Sequence, residues 1–299
     1  MAKNHKFLKF FTILAFLFIL SLALGRLINV MIEAKNKIAI IPIDGTILGD
    51  SVDVPFGEKS ISSVDIVKFL DEAEKDKSVK GIILEINSPG GSALATKEIV
   101  DRVKSIEKPI VAWIREVGAS GAYWVASASD KIVADELSIT GSIGVISSYL
   151  EFSGLLEDYN VTYEDLKTGK YKGLKSPYKK LTDEEREILL KKLELIHDIF
   201  SEDVSKNRKK DLSSVSNGLF YLGKEALDLG LIDILGGKEV AINVTKQLAN
   251  ITEAETVKFE KKRGLIDVLQ KFGASAFYSF GKGFGGFLIN KNEEVFVLK

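Results

Sequence analysis

Three short segments carry residues that could do chemistry. In Gly118-Ala119-Ser120-Gly121-Ala122-Tyr123 a serine sits among small neighbours just after an apolar run. Such a hydroxyl is sterically accessible, and a helix starting there would favour nearby negative charge. The logic is that of a nucleophile elbow, although the G-x-S-x-G pattern is absent. Asn87-Ser88-Pro89-Gly90-Gly91 follows another apolar run. Its glycines let the backbone turn tightly and approach a ligand, and their N–H groups could hold an oxyanion or a phosphate. The third segment runs from Lys167 to Lys180 and contains six lysines. A desolvated lysine loses its proton near neutral pH and can act as a base. Read alone, each segment has an ordinary alternative: a strand-to-helix turn, close packing through small residues, or a solvated basic loop near anionic lipid.

The three readings reinforce one another. A serine nucleophile needs a base, because its hydroxyl is barely ionised at pH 7. The 299-residue chain has two histidines, His5 and His197, and no cysteine. That excludes thiolate nucleophiles, disulfides, iron–sulfur clusters and His-rich metal sites. His197 falls on the shoulder of a long amphipathic helix, where a surface or partly packed role is expected. Lysine remains, and Ser-Lys pairs are a known variant of the catalytic triad. The 41 basic and 42 acidic residues balance, which argues against a nucleic-acid partner.

These residues must be held by a packed domain, and the patterns describe one. Apolar runs at Ile38–Ile43, Gly81–Ile86, Pro109–Ile114 and Lys131–Ala134 read as strands. Helical spacing marks Ser63–Glu74, Ser92–Ile106, Gly223–Gly230, Lys238–Ala249 and a long stretch from Thr182 to about Lys209. The last opens on a capping box, Thr182 with Glu185, and carries an apolar stripe of Leu189, Leu193, Ile196, Phe200 and Val204. Alternating strands and helices predict an α/β domain with a mostly parallel sheet. Residues 10–25 contain no charge. With Lys9 and Arg26 at its ends, the apolar stretch to Ile32 is long enough for a transmembrane helix. The competing reading is a cleaved signal peptide. Lys3, Lys6 and Lys9 favour a cytoplasmic N-terminus, which puts the rest of the chain outside the cytoplasm. The expected organisation is an anchor over residues 1–34, a catalytic domain over 35–255 and a Gly-rich appendage over 256–299.

Five motifs in this order, INSPGG (86–91), GASGAYWVA (118–126), TGSIGV (140–145), KTGKYKGLKSP (167–177) and LGKEALDLGLID (222–233), give the chain a family resemblance. From about Ile38 to Ala249 it resembles the signal peptide peptidase A family of membrane-anchored serine proteases, the S49 group, in its short single-repeat form. The resemblance implies a ClpP/crotonase-like fold of repeated β-β-α units. It assigns Ser120 as nucleophile, Lys172 as general base and Ser142 as the residue orienting the lysine. It assigns the N–H groups of Gly91 and Gly121 to the oxyanion hole. It also implies no cofactor or metal, remnant signal peptides and other unfolded polypeptides as substrates, and a ring-shaped homo-oligomer, an octamer, in which adjacent protomers share serine and lysine. The alternatives are an S49-type protease acting on stomatin-type membrane proteins, a crotonase-type acyl-CoA enzyme, and an inactive scaffold.

Overall fold

The computed structural model describes residues 12–22, 24, 36–50 and 59–260. Residues 12–22 are helical, with exposed side chains, and are labelled α1. No helix among the described residues is long and apolar enough to cross a membrane. The rest of the expected anchor lies outside the described residues, as does the Gly-rich segment 264–289.

The described residues up to Phe259 belong to one compact unit. Its frame is a sheet in the order β10-β1-β4-β5-β6-β9, built from Glu255–Lys258, Lys37–Asp44, Val79–Ser88, Ile110–Ala119, Lys131–Ala134 and Ile234–Leu235. All neighbours along this path are parallel. Two further strands attach to its end. β7 (Ile139–Gly141) pairs parallel with the second half of β5, and β8 (Phe220–Leu222) runs antiparallel to β7. β2 (Thr46–Leu48) and β3 (Ser60–Ser62) make a separate parallel pair.

Period-two alternation of the strands assigns each side chain to one face. Ala39, Ile41, Ile82, Leu84, Ile110, Ala112, Ile132 and Ala134 share one core. Packed with them are Ile66 and Leu70 of α2 (Ser63–Lys75), Ile99 and Val103 of α3 (Ala93–Ser105) and Ala122 to Ala126 of the short α4 (Gly121–Ser127). The intervening residues Ile38, Ile40, Ile83, Val111 and Val133 turn to the other face. There they meet Ala241, Ile242 and Val244 of α8 (Lys238–Leu248). A sheet covered on both faces needs strands that are apolar throughout, as these are.

Between these lie α5 (Ser153–Asp158), α6 (Asp183–Arg208) and α7 (Gly223–Leu229). The capping box expected at Thr182 and Glu185 is present, with both of its hydrogen bonds. The apolar stripe of α6 is covered only at its C-terminal end. Phe200 and Val204 are buried, whereas Leu189, Leu193 and Ile196 are half-buried. His197 is half-buried, its Nε2 2.8 Å from the Ser216 carbonyl.

Arg208 ends α6 in an ion pair with Asp233, Nη1 to Oδ2 at 2.9 Å, and the same carboxylate accepts the Ile132 N–H at 2.7 Å. Burial works to raise the Asp233 pKa, but the hydrogen bond and charge of Arg208, then the Ile132 N–H and Lys131, outweigh it and hold the carboxyl below its usual range. A carboxyl depressed in the folded state stabilises the protein above its unfolded pKa, and the gain is lost as pH falls through the folded value. We predict that Asp233→Asn costs about 3 kcal/mol at neutral pH, because Arg208 is left buried without its counter-charge. Urea unfolding midpoints of the two proteins should converge as pH drops below the ordinary carboxyl value of 3.8. A constant difference down to pH 2 would show that the pair contributes nothing through charge.

Candidate active site

Strand β5 ends at Ala119, and the chain turns into α4 through Ser120, whose φ of 53° and ψ of −124° lie outside the regions open to most side chains. Holding a serine there costs on the order of 1–3 kcal/mol, which the surroundings must impose. They do so from three sides. The Ser120 N–H donates to the Gly141 carbonyl at 2.8 Å, and Thr140 Oγ1 donates to the Gly118 carbonyl at 2.9 Å, so β7 clamps the strand end. Asn87 Oδ1 accepts the Val117 N–H at 3.2 Å across an irregularity between β4 and β5. The Ser120 carbonyl accepts from the Trp124 N–H at 3.0 Å, the first bond of a helix whose seven residues are all buried.

α6 holds that helix from behind. Trp124 Nε1 donates to Asp203 at 2.8 Å, the Trp124 ring stacks on Phe200 at 4.7 Å, and Asn207 Nδ2 donates to Ser127 Oγ at 3.1 Å. Burial raises the Asp203 carboxyl, but hydrogen bonds from Lys104 and Trp124 more than reverse this and keep it ionised.

The glycine turn after β4 lies directly against Ser120. Gly90 has a φ of +100°, and a Cβ there would come within 2.7 Å of the Gly121 nitrogen and 3.0 Å of Ser120 Cβ. Only glycine permits that approach. Gly91 is fixed by a bridge to Ile47. The Ile47 N–H donates to the Gly90 carbonyl and the Ser92 N–H to the Ile47 carbonyl, both at 2.8 Å. This pattern leaves the Gly91 N–H without an acceptor among the described residues. The Gly91 nitrogen is 3.4 Å from where a Cβ on Gly121 would stand. The structure therefore brings Ser120, Gly121, Gly90 and Gly91 into one cluster. Ser142 joins its edge through Gly141. It too has positive φ, 51°, and its N–H donates to the Leu219 carbonyl at 2.8 Å and its Oγ to the Gly218 carbonyl at 3.4 Å.

Among the described residues no hydrogen bond or ion pair joins the lysine segment to this cluster. Lys172 is exposed on a turn, its N–H bonded to the Gly169 carbonyl at 3.1 Å, and its amine has no hydrogen bond or ion pair among the described residues. Lys170 pairs with Glu184 at 2.7 Å, and Lys175 donates to Ser147 Oγ at 2.7 Å. The hydrogen bond that Lys170 donates to Glu184, assisted by Tyr171, raises the Lys170 pKa, and Asp165 does the same for Lys167.

The doubled glycine marks the turn in the sequence, and Gly90 makes the close approach to Ser120. One contributor is not visible in the sequence patterns. Ile47 pins Gly91 through its backbone, which no side-chain pattern reports.

The sequence matches the family model "Peptidase family S49" over residues 102–252 and the model "Clp protease" over residues 53–137. A protein of Methanocaldococcus jannaschii named as a protease is 35% identical over 226 residues, covering 73% of this chain and 71% of that one. The chain belongs to peptidase family S49. A protein of Enterococcus faecium named as signal peptide peptidase SppA is 33% identical over 233 residues, covering 76% of this S49 peptidase and 68% of that protein. Among solved structures, a membrane-bound stomatin-specific protease with a substrate peptide superposes with a TM-score of 0.50. It is 15% identical and covers 80% of this chain and 98% of that one, a likeness that speaks for the fold alone. This chain is thus a serine peptidase of mixed α/β fold in the SppA group, acting on polypeptides, and the acyl-CoA reading gives way to it.

Proposed function

We propose that this S49 peptidase is a membrane-anchored endopeptidase with a Ser120–Lys172 dyad that degrades remnant signal peptides and other unstructured polypeptides outside the cytoplasm. The observation that carries the reading is the strained turn at Ser120 packed against Gly90 and Gly91, with the Gly91 N–H uncommitted. In the reaction, neutral Lys172 Nζ takes the proton from Ser120 Oγ as the oxygen bonds to the peptide carbonyl carbon. The N–H groups of Gly91 and Gly121 receive the oxyanion, each worth roughly 3 kcal/mol. The C–N bond then breaks, and Lys172 returns its proton to the leaving amine. A water molecule, deprotonated by the same lysine, attacks the acyl ester; the C–Oγ bond breaks and Lys172 returns that proton to Ser120 Oγ, which frees the serine. Ser142 orients the amine.

Lys172 is preferred to Lys170 because an amine paired with a carboxylate is held protonated and cannot accept a proton. Supply of the lysine by a neighbouring protomer in a ring fits the surface around it. Ile146 is 90% and Leu166 89% exposed, and Leu150, Leu155 and Tyr159 are exposed as well. Exposed apolar side chains of this kind are the type that a protein contact covers. The substrate assignment rests on the relative named as signal peptide peptidase, and the anchor on the uncharged stretch at residues 10–25.

One experiment addresses nucleophile and topology together. A membrane-impermeant fluorophosphonate applied to intact spheroplasts should attach to Ser120. Attachment only after lysis would overturn the orientation, and attachment to a different residue would overturn the nucleophile.

A further inference from the structure

Thr96, in the first turns of α3, has no exposed surface, and its Oγ1 has no hydrogen-bond partner among the described residues. A buried hydroxyl left unpaired weakens a fold, and native examples call for an explanation. A threonine inside a helix has a simple remedy, which is to donate to the carbonyl four residues back. Thr245 in α8 does this, Oγ1 to the Ala241 carbonyl at 2.8 Å. Thr96 does not, although the Ser92 carbonyl stands in the equivalent place and accepts the Thr96 N–H at 2.9 Å. Its side chain is turned to the nucleophile turn instead. A Cβ on Gly121 would lie 2.5 Å from Thr96 Oγ1, 3.3 Å from its Cγ2 and 3.4 Å from the Gly91 nitrogen. Both arms of the threonine therefore rest against the backbone of Gly121, whose N–H is one of the two oxyanion donors.

We infer that Thr96 is a positioning residue of the oxyanion site. Its hydroxyl, committed to no carbonyl, is free to turn its dipole toward the charge that develops beside Gly121. Fixed or readily oriented dipoles aimed at a developing charge lower the barrier without tightening substrate binding. The inference rests on Ser120 as nucleophile and adds a residue that the family motifs do not name.

The two roles a buried hydroxyl can play predict opposite results. If Thr96 were only packing, the isosteric Thr96→Val would discard an unpaired polar atom and leave the enzyme as active as before. As a positioning residue it should give a protein that melts no lower than wild type but turns over about tenfold more slowly, the equivalent of one modest hydrogen bond in the transition state. KM for a quenched peptide should not change. Thr96→Ser keeps the hydroxyl and should stay within about twofold of wild-type kcat. The rate of fluorophosphonate attachment at Ser120 should fall in Thr96→Val in parallel with kcat, because the phosphonyl oxygen occupies the same site. Wild-type kcat in Thr96→Val, a raised KM with kcat unchanged, an equal loss in Thr96→Ser, or a lowered melting temperature of Thr96→Val would each overturn the role. Attachment of the probe to a residue other than Ser120 in the wild type is a separate result, which removes the nucleophile on which the role depends.

Discussion

Ser120→Ala will reduce peptide cleavage by roughly five to six orders of magnitude, the loss expected when a serine nucleophile is removed and only binding and oxyanion donors remain. The fold should survive, because alanine occupies the same volume and its Cβ meets the same neighbours at Gly90. Ser120→Gly is the informative companion. Glycine adopts a φ of 53° and a ψ of −124° far more easily than serine. The glycine variant should be just as inactive yet more stable than wild type, by about 1 kcal/mol or more. Calorimetry beside a quenched-peptide assay reads both quantities. Turnover near wild type in Ser120→Ala would hand the nucleophile to another serine. Ser88 is a poor substitute, since it is fully buried and its Oγ accepts the Gly90 N–H at 3.1 Å. That outcome would point to Ser142.

The second large effect concerns the base. Lys172→Arg should be almost inactive, because a guanidinium does not give up its proton in the working pH range. Lys170→Ala and Lys175→Ala should retain activity, since those amines are engaged with Glu184 and Ser147. If adjacent protomers share the dyad, mixing Ser120→Ala with Lys172→Ala subunits restores part of the activity, because a mixed interface can join an intact serine to an intact lysine. Co-purification through different tags checks that mixed assemblies have formed. Mixed assemblies as inactive as either parent would place both residues of the dyad in one chain. Activity retained by Lys172→Ala but lost from Lys170→Ala or Lys175→Ala would move the base to another lysine.

How far the sequence anticipates this molecule depends on where each signal is stored. Strands β1, β4, β5 and β6 announce themselves because consecutive isoleucines and valines are buried on both faces of the sheet. The start of α6 is equally plain, since Thr182 and Glu185 satisfy each other locally. Strand β7 and its partner β8 are three residues each and have no pattern of their own. They exist because the end of β5 offers an edge and Gly141 can accept the close approach of Tyr221. Ser120 is visible as a serine among small residues, but its dihedral angles are not, because β7, α4 and Asn87 impose them through contacts distant in sequence. The stripe on α6 is misleading for a related reason. Helical periodicity predicts a continuous buried face, yet within this chain Leu189, Leu193 and Ile196 are only partly covered.

Helix α6 contains 26 residues and neither glycine nor proline. At 1.5 Å per residue it extends for about 39 Å. Its first turn is bonded to the lysine segment through Glu184, which receives Lys170 and Tyr171, and through Glu185, which receives Lys179. Its last turns grip Trp124 and Ser127 behind the nucleophile. Such a helix works as an unjointed beam. A load applied where the lysines sit has no hinge at which to dissipate, and it arrives at the far end as a push or twist on the short helix that Ser120 caps.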